Sequence, residues 1–127
     1  LNNEDAAKTT LKQVFDIGTK GIIVKGDMTK PLDVENLVNQ CKKAFGDSIE
    51  ILINMAGGLM GRKVLADIEE QFWDNVISVN LKSAFLVTKA VVPNVNNGGT
   101  IFNFISQAAR DGGGFGAMAY STAKGGF

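Results

Sequence analysis

An open, mostly parallel α/β sheet is the fold class that this 127-residue sequence predicts, and three observations carry it. Residues 21–25, 49–53 and 100–105 are short, nearly unbroken apolar runs, too brief for helices and suited to strands buried on both faces. Between them, apolar residues recur with the 3.6-residue period of helices, so helix and strand alternate along the chain. Each polar motif stands just after one of the strands, and in sheets of this kind ligands bind outside the carboxyl ends of the strands.

Asn2 or Asn3, with Glu4 and Asp5, supplies an N-cap signature, after which Ala7, Leu11, Val14 and Phe15 share one helical face until Gly18. Ile22, Ile23 and Val24 form the centre of the first strand. Gly26, Asp27, Met28 and Thr29 turn out of it, with Thr29 placed to cap a second helix. That helix carries Leu37, Val38, Cys41 and Phe45 at helical spacing and closes at Gly46. The second strand runs into Asn54, Met55, Ala56, Gly57 and Gly58, and a loop with Gly61 and Arg62 follows. A long helical pattern then covers about 68–92 and includes Asn80, until Pro93 and the Asn-Asn-Gly-Gly run at 96–99 stop it. The third strand delivers Ser106. A loop with Gly112, Gly113, Gly114 and Gly116 leads into a last helix bearing Tyr120 and Lys124.

The length is that of one domain, 1–127. Thirteen basic residues balance thirteen acidic ones with no basic block or basic-aromatic stripe, which argues against nucleic acid and anionic membrane as partners. Cys41 is the only cysteine, so no internal disulfide forms and a reducing, cytoplasmic setting is the simplest fit. With no histidine and no acidic ligand constellation, no metal centre is expected. The apolar runs are interrupted by asparagine or glycine, so none is expected to span a bilayer.

Chemistry concentrates in the last quarter. Tyr120 and Lys124, four apart on a helix, share a face, and a fixed cation near a phenol moves it from an ordinary pKa of about 10 toward working pH. A serine hydroxyl at a neighbouring strand end, Ser106, completes a set able to move a proton to or from a carbonyl or alcohol oxygen. Taken alone, the spacing is equally that of a solvated helix pair.

With these motifs in this order, the chain resembles the classical short-chain dehydrogenase/reductase family over nearly its whole length. Gly26-Asp27-Met28-Thr29 is similar to the family's strand-end turn, whose Asp meets the adenine amino group. Ile51-Leu52-Ile53-Asn54-Met55-Ala56-Gly57 is similar to its Asn-Asn-Ala-Gly turn beside the cofactor. Met55 replaces the second Asn there, and a thioether cannot donate the hydrogen bond by which that amide ties the central strands. In Val79-Asn80-Leu81 the resemblance makes Asn80 the catalytic asparagine, and it aligns Ser106, fourteen residues before Tyr120, with the catalytic serine.

The resemblance therefore implies a Rossmann-like, doubly wound parallel sheet, here incomplete, with three strands and about four helices. The implied catalytic residues are Asn80, Ser106, Tyr120 and Lys124. Cofactor contacts would come from Asp27, Met28, Asn54, Ala56, Gly57, Tyr120 and Lys124. The implied cofactor is NAD or NADP, the partner a small carbonyl or alcohol substrate with 3-oxoacyl reductases as the nearest subgroup, and the assembly a homotetramer or dimer. The family's opening glycine-rich turn for the pyrophosphate has no counterpart before Asp27, and Phe127 follows Lys124 closely, so both ends are expected to be cuts. In the family's strand order the first and second strands here are not neighbours; at about 4.8 Å per step, roughly 14 Å would separate them. A non-catalytic dinucleotide-binding module and an inert, self-associating fragment are the alternatives on the same scaffold.

Overall fold

The computed structural model describes residues 3–127. Helix α1, Glu4–Asp16, begins where Asn3 Oδ1 accepts from the amide of Ala6 at 3.1 Å, and it ends ahead of Gly18, whose φ is +79°. Asn2, the other candidate cap, lies outside the described residues. Helix α2, Pro31–Phe45, starts on a proline, whose missing N–H costs nothing in a first turn, and its C-cap is Gly46. Thr29 does not cap it, contrary to expectation: its N–H and hydroxyl are both given to Asp27.

Strand β1, Ile49–Asn54, pairs in parallel with β2, Val95–Asn103, aligning Leu52 with Ile101 and Asn54 with Asn103. The register shifts between Ile49 and Ile51, so the 96–99 run is a bulge inside a strand rather than a stop before one. Gly99 is required there. A Cβ on it would stand 2.5 Å from Val95 and 3.1 Å from two carbonyl oxygens.

The α/β class with a parallel sheet is present, but residues 21–25 correct the strand count. They are assigned to no strand and pair with none among the described residues, leaving Ile22 and Ile23 each 42% exposed. The segment lies along α1 instead, where a Cβ on Gly21 would sit 2.7 Å from Leu11 and 3.2 Å from Val14.

The long helical pattern becomes one rod: α3, Glu70–Ile77, a π-helical turn, Ser78–Lys82, and α4, Ser83–Val91. By length and composition alone its span Glu70–Asn94 is apolar enough to cross a membrane. This corrects the expectation that asparagine interrupts every such run, because Asn80 is accommodated in the helix with its amide bonded. The rod's inner side is protein core. Val87 and Val91 meet Val34 and Val38 of α2 over Leu52 and Val95 of the sheet, while Val76 meets Ala119 and Ala123 of the last helix. The buried stripe of α2 is accordingly Val34 and Val38; Phe45, expected on that face, is 47% exposed.

Past β2 come a single helical turn, α5, Ala108–Asp111, and the last helix α6, Met118–Gly125. Only one face of the sheet is covered. Ile51, Ile53, Phe102 and Phe104 on the other face are all about half exposed.

Candidate active site

The site is built where the rod, the two strand ends and α6 converge. Adding a residue to a helical turn to make a π turn costs hydrogen-bond geometry, and such turns recur at functional positions. Here the turn presents Asn80, fully buried, to the loop after β1. Its Oδ1 accepts from the amide of Gly58 at 2.8 Å, and its Nδ2 donates to Gly58 O and Val76 O, both at 3.0 Å. Every polar atom of the side chain is thereby used, as burial demands.

Lys124 reaches the same point from α6. It is only 5% exposed, and its Nζ donates to Phe104 O at 2.9 Å. The amide of Phe104 in turn donates to Asn54 O at 2.9 Å, so the peptide after β2 links the end of β1 to the lysine. Burial lowers the Lys124 pKa from its ordinary 10.5, because the charged form loses hydration. Gly57 closes the convergence. With φ +148°, a Cβ there would stand 2.6 Å from Asn80 Oδ1 and 3.1 Å from Lys124 Nζ. Asn80 and Lys124 therefore both approach the bare backbone at Gly57, in the space a side chain there would fill.

Tyr120 lies one turn before Lys124, half-buried against Val76, Ala119 and Ala123, and its hydroxyl makes no hydrogen bond among the described residues. Ser106 Oγ accepts from the amide of Ala108 at 3.2 Å, which fixes the side chain and leaves its O–H free to donate outward. Ser106 and Lys124 share the wall of one cavity of about 580 Å³, together with Arg110 and Phe127.

A second cleft, about 680 Å³, joins four residues from two separate motifs: Asp27 and Met28 of the first turn, Ala56 and Gly57 of the second. Val79 and Ser83 of the rod also line it. Asp27 is held ready. Its Oδ1 accepts from the amide of Thr29 at 2.9 Å and from its hydroxyl at 2.7 Å, and these bonds hold the carboxyl below the usual carboxylate pKa. An ionised acceptor beside a wall of bare backbone fits the amino group and sugar of a nucleotide.

Asn54 stands apart from the other cofactor candidates. Its Nδ2 donates to Thr88 Oγ1 and Asn103 Oδ1, each at 2.9 Å, so this amide ties the strands to each other and to α4. The strand tie that Met55 cannot make is thus present, made by its neighbour, while Met55 itself is 62% exposed. Ser83, on the cleft wall with its hydroxyl donating to Val79 O at 2.7 Å, was not anticipated as a site residue. Its position three after Asn80, on the polar side of an apolar helix, was the available signal.

Comparison with known proteins follows this geometry. Residues 1–127 match the family described as short chain dehydrogenase. The BbsD subunit of (2S)-[(R)-hydroxy(phenyl)methyl]succinyl-CoA dehydrogenase from Thauera aromatica is 36% identical over 130 aligned residues, which take in 99% of this chain and 51% of that protein. The 3-oxoacyl-[acyl-carrier-protein] reductase of Buchnera aphidicola subsp. Baizongia pistaciae (strain Bp) is 37% identical over 82% of this chain and 42% of its own length. Among solved structures, the NADH-dependent reductase A1-R′ complexed with NAD superposes with a TM-score of 0.86 at 33% identity, over 93% of this chain and 52% of that one. The chain spans about half the length of the relatives it matches. It belongs to the short-chain dehydrogenase family, an oxidoreductase family with a Rossmann-like fold.

Proposed function

We propose that the protein carrying this chain is an NAD(P)-dependent oxidoreductase that interconverts a ketone and a secondary alcohol, with 3-oxoacyl thioesters as the nearest substrate class. The observation that carries this reading is the meeting of Lys124 Nζ, Asn80 Oδ1 and the Gly57 backbone, one helical turn from Tyr120. Two relatives whose names specify thioester-linked substrates, an acyl carrier protein and a CoA ester, support the substrate class.

Asp27, Met28, Ala56 and Gly57 would hold the dinucleotide in the 680 Å³ cleft, with the Asp27 carboxylate toward the adenine amino group. A nicotinamide cofactor held there would supply the hydride in reduction and accept it in oxidation. The chain's own residues supply position and proton. Ser106 donates its free O–H to the substrate oxygen, and Tyr120 gives that oxygen a proton during reduction or takes it during oxidation. Lys124, one turn beyond the phenol, donates to Phe104 O and so holds the strand-end peptide beside which the transfer takes place. Asn80 holds Gly58, and with it the backbone over which the cofactor passes. Homo-oligomers and a reducing cytoplasmic setting, the latter in keeping with the lone Cys41, complete the proposal.

The test is single-turnover reduction of a carbonyl panel by the full-length protein. Replacing Tyr120→Phe removes the only group of that side chain that can give or take a proton and lowers the rate by about 100-fold or more. A variant as fast as the parent would end the assignment. Tight cofactor binding with no turnover by the parent would assign a dinucleotide-binding module instead.

A further inference from the structure

We infer that Arg62 is a positioning residue for this site, acting as a brace on the glycine-rich loop between Ser106 and Tyr120; the inference deepens the proposed oxidoreductase function and rests on it. A loop holding Gly112, Gly113, Gly114 and Gly116, with φ between +71° and +83° at all four, is made of residues with wide conformational freedom, and local bonds from Gly112 to Ala108 O and from Gly113 to Asp111 Oδ1 fix only its start. Its far side is held by donors from another loop. Arg62 Nη1 donates to Gly113 O at 3.0 Å and to Phe115 O at 2.7 Å, and the amide of the next residue, Lys63, donates to Gly116 O at 3.0 Å. A guanidinium hydrogen bond to a carbonyl is charge-assisted, which makes these two stronger than an ordinary amide pair.

The contact is also a close fit. A Cβ on Gly116 would lie 3.1 Å from both Arg62 Cβ and Lys63 N, so the two loops run against each other backbone to backbone. The braced loop feeds directly into the helix of Tyr120. The amide of Ala117 donates to Gly114 O, and that of Ser121 to Ala117 O, so the first turn of α6 is continuous with carbonyls beside those Arg62 holds. At its other end the strip from Gly58 to Arg62 is held by Asn80 on both the N–H and the C=O of Gly58. One strip thus spans from the Asn80–Lys124 meeting point to the loop that sets Tyr120 relative to Ser106. Arg62 touches neither substrate nor cofactor in this scheme; it orients the groups that do.

The test compares Arg62→Ala with the parent in the full-length protein, by carbonyl-reduction kinetics and by hydrogen exchange of the Gly113–Ala117 amides. The loss expected from misplacing the phenol is about tenfold or more in kcat, with the KM for the nicotinamide cofactor within about twofold of the parent. Exchange at Ala117 should quicken by about tenfold as the loop opens. Guanidinium ion at low millimolar concentration should recover most of the lost kcat in Arg62→Ala and change the parent little. An unchanged kcat, or a loss shared with the cofactor KM that guanidinium leaves in place, would overturn the proposal. If the parent reduces no carbonyl, the oxidoreductase reading fails on its own, and the exchange measurement still decides the brace: unaltered protection at Ala117 sinks it.

Discussion

Helix α1, thirteen residues long, buries none of them, whereas α6, with eight, buries Ala119, Ala123 and Lys124. Local helical quality does not explain the difference. α1 has the cap, the acidic first turn and surface ion pairs such as Glu4 with Lys8, each worth a few tenths of a kcal/mol. α6 has no side-chain cap at all. What α6 has is a partner: its alanines at i and i+4 let it approach Val76 closely, and that approach brings Lys124 under the strand ends. The amino-terminal helix and the segment after it hold each other through Leu11, Val14 and Gly21 but meet no sheet. Helix formation and the placing of chemistry are therefore separate achievements in this chain, and only packing delivers the second.

The sharpest way to break this contrast is at Asn80. Asn80→Leu leaves both polar groups of the half-buried Gly58 without their side-chain partner, and the expected cost is about 1–3 kcal/mol in urea unfolding of the chain. A cost near zero would mean the π turn holds the loop without its amide, and that the site region is no better fixed than the amino-terminal one.

A smaller effect is expected at Lys124, and its sign is diagnostic. Because burial holds the folded pKa below 10.5, the unfolded chain binds more protons between the folded value and 10.5, so this group makes stability rise with pH across that window. Lys124→Met should remove that rise while changing stability near pH 7 by about 1 kcal/mol or less, since one hydrogen bond is exchanged for relief from desolvation. Urea midpoints at pH 7 and near pH 10 for parent and variant check it; an identical pH dependence would place the ammonium in water.

The smallest effect belongs to the other side of the contrast. Ile23→Thr, in the unpaired segment, should change stability by under about 0.5 kcal/mol in this chain. A cost above about 2 kcal/mol would show that 21–25 packs as a strand after all.

Much of this was legible in advance because it rests on short-range rules. The caps at Asn3 and Gly46, the apolar runs at 49–53 and 100–105, and the polar motifs at their ends each need only a few neighbouring residues to be read. Ser106, Tyr120 and Lys124 could be picked out by spacing and strand-end position, whereas Asn80, and the roles of all four, come from resemblance. What escaped was which of several available partners each polar group takes, near in sequence or far. Thr29 looks like a helix cap until Asp27 is seen to take both its donors. That the Asn54 amide binds Thr88 and Asn103, and that Arg62 reaches the glycine loop more than fifty residues on, are seen only once the chain is folded.

By itself the sequence determined the main helices, the apolar extended runs at 49–53 and 100–105, and which residue types stand at the strand ends, because periodicity and capping are properties of a residue and its near neighbours. The tertiary structure alone decided that residues 21–25 pair with no strand among the described residues, that Asn80 sits in a π turn facing Gly58, and that Lys124 lies buried against the Phe104 carbonyl. Pairing and burial depend on which distant surface is within reach. In this chain that is set by the close approach of two helices and by which strands the sheet contains.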